Sequence, residues 1–455
     1  MARPAIAGNL AGGFRRFGGV GMRSGMVVAG LLWLAGAPAM GSDYLELQDL
    51  HLIDGTGKPS RVVDRLLVRD GLIVRIDDEG DEPTPEPRSS WLRIDLDGAW
   101  VMPGLVDTHV HVARFPDTRA QAERILRQAV RGGVTSVRDL GGDARALAEL
   151  SRAMAAGEFI GPNLQFSALV GGSAVLESET VRQLANGHAP GTAPWARSVD
   201  ASTDLERIVA QAQGSGVGNL KLYGNLSPDL ARGLIEQARS QSLSTTAHAT
   251  VFPTGPGELV DAGIGSLAHA PYLVWEAVDH IPADYEVRTR GPWDQVPADH
   301  PRLLSLYRRM AERGVFLDAT LYVYEAMGRY SPGVVADWSA AAFRWGALAT
   351  ALARAAGVRV TTGTDWFEPA GDGALPHTHD ELVLLVDAAG FTPMQAIVAA
   401  TRDGAAALGL GESHGTLQVG KVADLLVLDA DPLADIRNTS RLRFTVRAGR
   451  VVPAE

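Results

Sequence analysis

The sequence predicts an α/β fold: a (β/α)8 TIM barrel with a composite β-sandwich domain built from both termini. Three observations carry this expectation. The middle of the chain alternates short apolar strands with amphipathic helical stretches, the pattern of a parallel sheet. Eight such units spread over about three hundred residues suit a closed barrel. Both ends of the chain are β-rich, and 455 residues exceed what a minimal barrel needs.

The first forty residues stand apart. Arg3, Arg15, Arg16 and Arg23 precede an apolar run at 26–35, and Ala37, Pro38 and Ala39 offer a small-residue cleavage site. This is the pattern of a secretory signal, and the run is too short to span a bilayer as a mature helix. The alternatives are an uncleaved N-terminal anchor or a true start at Met22. Arg15 and Arg16 raise a twin-arginine export route, although Phe17, Gly18 and Gly19 match it poorly. The expected location is therefore periplasmic or secreted. Residues 1–41 hold four Arg and no acid, so their removal takes the net charge from −11 to −15. An acidic chain of this kind excludes nucleic acid and anionic membrane surfaces as main partners. A small-molecule substrate is the expected partner, and homo-oligomerisation stays open. Hydrophobic residues at 46% and charged residues at 21% are an ordinary globular balance. With no cysteine, disulfides, thiolate metal sites and cysteine nucleophiles are excluded.

After the signal, 45–53 and 61–76 read as strands, the second broken into a hairpin by Asp70 and Gly71. The acidic, proline-rich stretch 78–90 is a loop, and 91–100 is another strand. At the far end, 415–429 reads as a turn and a strongly apolar strand without a catalytic role, and 444–452 as a hairpin around Gly449. Between them lie the barrel strands: one leading to His109, then 134–142, 163–168, 219–223, 244–248, 265–269, 315–320 and 358–365. Helical patterns intervene, among them 120–131, 205–213, 227–241 and 340–356. This divides the chain into a signal peptide at 1–41, a barrel at 104–411, and two halves of the sandwich at 42–103 and 412–455. The stretches 170–201 and 274–301, rich in Gly, Pro and Trp, are longer than barrel connections require, as lids and pocket walls are.

The chemistry sits at strand ends. Pro103 and Gly104 mark the entry of a short buried strand that ends in His109 and His111. Residues i and i+2 of an extended chain share a face, so both imidazoles point into one space at the C-terminal end of a strand, where barrel enzymes keep their active sites. Lys221, His248, His269 and Asp365 each follow an apolar strand and reach the same rim. Four His and one Asp there form an N/O site suited to zinc or a similar divalent ion. A lone strand-end His is more often a satisfied core residue; four around one rim are not. A free Lys221 ammonium would repel the metal. Burial depresses a lysine pKa, and addition of carbon dioxide would make a carbamate, an anionic ligand able to bridge two ions.

The chain resembles the amidohydrolase superfamily, within the imidazolonepropionase-like and Xaa-Pro dipeptidase-like metal-dependent hydrolases. The matching motifs are Pro103-Gly-Leu-Val-Asp-Thr-His-Val-His, Lys221-Leu-Tyr, Ala247-His248, Ala268-His269, Gly363-Thr-Asp365 and the run 415–429, in the family's order over nearly the whole mature chain. The resemblance implies that His109, His111 and Asp365 bind one ion and His248 and His269 a second, with carboxylated Lys221 bridging. It implies two divalent ions, zinc by preference, and hydrolysis of amide or cyclic C–N bonds. Two departures stand out. The Gly-Gly-His segment of many relatives is here 168–175, without a histidine; His188 follows only later. Asp365 is followed by the bulky Trp366 and Phe367.

Two metals sharing a hydroxide would supply a nucleophile at neutral pH, with Asp365 as proton carrier. Tyr223 shares a face with Lys221; it either holds a substrate carboxylate or oxyanion or packs above the barrel. His379 either contacts substrate or caps a helix, and His377 is incidental. Arg138 and Asp139 read as an inward ion pair supporting the site. Peptides with a C-terminal Pro or hydrophobic residue, or N-acyl amino acids, are the expected substrates. A lactonase or esterase would use the same hydroxide. A non-catalytic barrel would be expected to lack a ligand, and none is missing here.

Overall fold

The computed structural model describes residues 44–78, 92–113, 119–330, 333–365, 371 and 373–454. The export signal at 1–41, the loop expected at 79–90, Trp91, and Trp366 with Phe367 lie outside the described residues.

Eight parallel strands run Leu105–Val110, Val134–Asp139, Asn163–Gly171, Asn219–Leu222, Ser244–His248, Ser266–Ala268, Phe316–Asp318 and Val360–Thr361, each hydrogen-bonded to the next in chain order. The ring closes through backbone bonds: Thr108 N–H donates to Thr362 O at 2.8 Å, and Asp365 N–H donates to His109 O at 2.9 Å. The first two strands are buried at every position, as expected of strands covered on both faces.

Helices cover the outside because their apolar residues recur at helical spacing. Helix Arg119–Arg131 buries Ala122, Ile125, Leu126, Ala129 and Val130. Helix Pro228–Ser240 starts on a Ser227 cap that accepts the Leu230 N–H, with proline in its first turn. The helix expected from 340 begins earlier, at Val334. Trp338, Ala342 and Trp345 pack on the core and carry the inward face back toward its start. Among the described residues, no helix is long and apolar enough to cross a membrane.

The second sheet has seven strands and draws on both ends of the chain, in the order Arg450–Pro453, Leu442–Arg447, Leu425–Leu428, Leu92–Pro103, Tyr44–Leu52, Arg61–Arg69, Leu72–Asp78. The faces of the expected sandwich belong to one continuous sheet that curls. Its edge at Ile73 meets the C-terminal segment, with Ile73 N–H to Lys421 O and Gly420 N–H to Ile73 O both at 2.8 Å. Leu47, Leu50, Val63, Leu66, Leu425 and Val427 fill the enclosed core. The pivot is Leu92–Pro103, parallel to Tyr44–Leu52 and antiparallel to Leu425–Leu428. One residue later the chain enters the first barrel strand, so this sheet aims the strand that carries the two histidines.

Gly104 makes that turn possible. A Cβ on it would lie 2.1 Å from Thr135 Oγ1 and 2.4 Å from Thr135 Cγ2. Gly104→Ala is therefore expected to destabilise the protein by about 1–3 kcal/mol through overpacking. Thr135→Ala removes both crowding atoms, so the double variant should lose less than the sum of the single losses in thermal unfolding. Strict additivity would show that the strand entry tolerates a side chain.

Candidate active site

His109, His111, Lys221, His248, His269 and Asp365 line one cavity of about 420 Å³, together with Tyr223. Each side chain arrives at the end of its strand or just beyond it. Asp365 is the centre of the group. Its Oδ1 lies 3.3 Å from His109 Nε2 and 3.0 Å from His111 Nε2, and its Oδ2 lies 3.8 Å from His269 Nε2. The rings of His109 and His269 are 5.1 Å apart and those of His248 and His269 4.7 Å. His269 and Asp365 both sit at positive φ, 70° and 52°, a conformation that costs a non-glycine residue energy and clusters at functional sites.

All four histidines are held from behind. Nδ1 of His109 meets Asp318 Oδ2 at 2.9 Å, and that of His111 meets Gly141 O at 3.0 Å. Nδ1 of His248 meets the Tyr285 hydroxyl at 3.1 Å, and that of His269 meets Thr320 Oγ1 at 3.0 Å. An imidazole donating through Nδ1 presents an unprotonated Nε2, the form that binds a metal.

The electrostatics agree. Burial, reinforced by Lys221 and the neighbouring rings, holds His248 well below the usual histidine range; burial does the same to His269. Both therefore stay neutral at physiological pH. Burial would lower His109 too, but the Asp365 carboxylate raises it above the usual value. Burial works to raise Asp365, yet His109, His111 and His269 hold it well below the carboxylate range. Burial brings Lys221 down to about 7, with Arg138 helping and Asp318 and Asp365 opposing.

These residues fit a metal centre. The ligand atoms of His109, His111 and Asp365 lie within 4.8 Å of one another. Lys221 Nζ is buried, and among the described residues it has no hydrogen-bond partner. A buried ammonium without an acceptor is more costly than a neutral amine, and an anionic lysine derivative would be compensated by a cation bound beside it.

The other sequence expectations fare differently. Tyr223 lines the cavity, its ring 4.5 Å from His248, and burial raises its hydroxyl pKa. His379 does not reach the cavity. Its Nδ1 meets Thr439 Oγ1 at 3.0 Å and its Nε2 meets Gly132 O at 2.8 Å, leaving neither nitrogen for substrate. Its placement follows from the helix Thr378–Asp387, which presents this position to the connection before the second strand. His377 pairs with Asp380 and stacks on Tyr322. Arg138 and Asp139 do not form a mutual ion pair, because neighbours on a strand face opposite ways. Arg138 donates to Thr108 O and Ala407 O, while Asp139 accepts the N–H groups of Val112 and Gly141.

Asp318 escaped the sequence reading although it obeys the same rule, an acid ending the apolar strand Phe316–Asp318. Gly363 lets it come close: a Cβ there would be 2.1 Å from Asp318 Oδ1 and 2.7 Å from His109 Cβ. Tyr272, Tyr285, Arg288 and Tyr324 also line the cavity. They come from helical turns with no periodic signal pointing inward.

The model of the amidohydrolase family matches residues 100–452. An ochratoxinase of Aspergillus niger is 28% identical over 440 residues, covering 85% of this chain and 81% of that protein. An imidazolonepropionase of Caulobacter vibrioides is 26% identical over 364 residues, covering 78% of this chain and 84% of that protein. A solved Xaa-Pro dipeptidase with methionine bound in its active site has the same fold, at a TM-score of 0.71 and 19% identity over 90% of this chain and 100% of that one. The structure of A. niger ochratoxinase gives 0.69 at 24% identity, over 90% and 95%. A family match across three quarters of the chain, on a barrel whose rim gathers histidines around one aspartate, places this protein in the amidohydrolase family of metal-dependent hydrolases acting on C–N bonds.

Proposed function

We propose that the protein hydrolyses the amide bond of N-acyl amino acids or of peptides ending in Pro or a hydrophobic residue, using two divalent ions, zinc by preference. The observation that carries this reading is the gathering of four histidines and Asp365 in one cavity with Lys221, whose buried Nζ has no hydrogen-bond partner among the described residues. His109, His111 and Asp365 would hold one ion and His248 and His269 the other. Lys221, whose burial brings its amine down to about 7 so that the neutral form is accessible near neutral pH, would take up carbon dioxide as a carbamate, releasing a proton, and bridge the two. Bound there, the ions lower the pKa of a water to about 7 and polarise the scissile carbonyl.

The chain's own groups do the rest. Asp365 stays ionised and takes the proton of the attacking water. It then delivers that proton to the leaving nitrogen as the C–N bond breaks, giving a carboxylate and an amine. Asp318 orients His109 and stiffens it as a ligand. Tyr223, whose ring lies 4.5 Å from that of His248, would bind the oxyanion or a substrate carboxylate. The Arg-rich start, the apolar run and the small-residue site support export, with a mature protein beginning near Met40 in the periplasm or outside the cell.

Lys221→Ala is expected to lose about one of two ions by elemental analysis, and to regain part of its activity when a short carboxylic acid is added. Wild-type turnover in this variant would remove the bridging role. Asp365→Asn keeps the size but cannot carry the proton, so kcat should fall at least about 10²–10⁴-fold while KM changes less. Because its neighbours hold Asp365 ionised far into the acid range, the acid limb of wild-type kcat/KM should follow the activated water, near pH 7. An acid limb near the usual carboxylate range would instead identify Asp365 as the titrating group. Mass spectrometry of secreted or periplasmic protein should find an N-terminus near Met40; an intact Met1 on cytoplasmic protein would refute export.

A further inference from the structure

The cavity has a cation that the proposed mechanism does not use. Arg288 belongs to the helical turn Tyr285–Arg290 and lines the same cavity as the histidine cluster. Its guanidinium lies 4.2 Å over the Tyr285 ring. The Tyr285 hydroxyl in turn holds His248 Nδ1, so Arg288 is anchored to the metal-facing group through one aromatic ring. Nη1 is occupied from outside, 2.9 Å from the exposed Glu286 and donating weakly to Tyr285 O at 3.4 Å. Among the described residues, Nε and Nη2 make no hydrogen bond. The Arg288 side chain as a whole is three-quarters covered. A guanidinium held this way keeps donors free for a carboxylate, and covered surroundings strengthen the pairing.

The opposite wall has the opposite character. Leu140, Val181 and Leu184 line the cavity beside His111. On this side the Gly141 carbonyl is engaged by His111 Nδ1 at 3.0 Å. His111 follows the first barrel strand and His248 ends the fifth, so the two walls face each other across the ring. The cavity therefore has an apolar side at Leu140, Val181 and Leu184, and its cation, Arg288, stands among Tyr272, Tyr285 and Tyr324, with Val323, Met327 and Trp338 also in the lining.

We infer that Arg288 is the specificity-determining residue of this site: it binds the free α-carboxylate of the leaving amino acid, while the acyl group lies against Leu140, Val181 and Leu184. The inference rests on the amide-hydrolase reading above and adds to it the direction in which the substrate lies. Arg288 touches substrate but not the reacting bond. Its effect falls on the binding of carboxylate substrates, and on KM more than on kcat.

The test compares N-benzoyl-L-phenylalanine with its carboxamide, N-benzoyl-L-phenylalaninamide, following benzoate release by the zinc-loaded enzyme. The wild type is expected to prefer the carboxylate by about 100-fold in kcat/KM, the scale of a desolvated charge-paired hydrogen bond. Arg288→Met should bring that ratio close to one, and Arg288→Lys should leave it between the two. The ratio does not depend on how much of a variant is folded. A ratio that survives in Arg288→Met, or is absent in the wild type, overturns the inference. A calorimetric titration with L-phenylalanine separates the two claims. If neither amide is hydrolysed, the amide-hydrolase reading fails. Binding of L-phenylalanine that weakens at least tenfold in Arg288→Met would still uphold the carboxylate subsite, and equal binding would overturn it.

Discussion

The closure of the barrel between its first and last strands is the constraint on which the site depends. Thr108 and Thr362 are 254 residues apart in sequence, yet a backbone bond and a side-chain bond join them. One step further, the Asp365 N–H donates to His109 O. That bond carries the Asp365 carboxylate to within 3.3 Å of His109 and His111. Asp107 reinforces the seam, accepting Thr364 and Thr378 hydroxyls. Gly104 and Gly363 allow the strands to approach where a Cβ would collide. The curled terminal sheet serves the same end, since its central strand runs directly into the strand that carries the histidines.

Within that frame, the hydrogen bonds behind the rings decide what the site can do. Four neighbours of different chemistry, a carboxylate, a carbonyl, a phenol and a hydroxyl, engage the four Nδ1 atoms. His109, His111 and His269 present Nε2 to the Asp365 carboxylate. Burial keeps two of these rings and Lys221 near neutrality, while the rings keep Asp365 charged. Such a group is unfavourable to bury without a compensating ion. Its assembly in a closed barrel is therefore an argument for a ligand. The tyrosine behind His248 also lies under Arg288, so a histidine of the cluster and the cation of the cavity share one anchor.

Most of the barrel was legible because strand and helix periodicities are local, and because chemistry at a strand's C-terminal end lands at one rim whatever the loops do. His109 and His111 could be paired from sequence, since alternation along a strand is a backbone property. The same rule, applied to Arg138 and Asp139, excludes the ion pair read from their adjacency. His379 could be placed at a helix start from sequence, but which neighbour a helical face meets is a matter of packing, and it meets Thr439 and Gly132. Asp318 was legible and overlooked, because one acid after a three-residue strand is a weak signal beside a His-x-His.

The sequence by itself determined the alternation of strands and helices, the β-rich ends, and which side chains stand at strand ends. These follow from backbone periodicity and from the chemistry of single residues. Only the tertiary structure decided that the terminal strands form one curled sheet, that Asp365 meets His109 and His111, that the four cavity histidines each have an Nδ1 partner, and that Arg288 shares a cavity with Leu140, Val181 and Leu184. Those contacts join residues far apart in the chain. Their energies come from hydrogen bonds and packing that do not exist until the ring is closed.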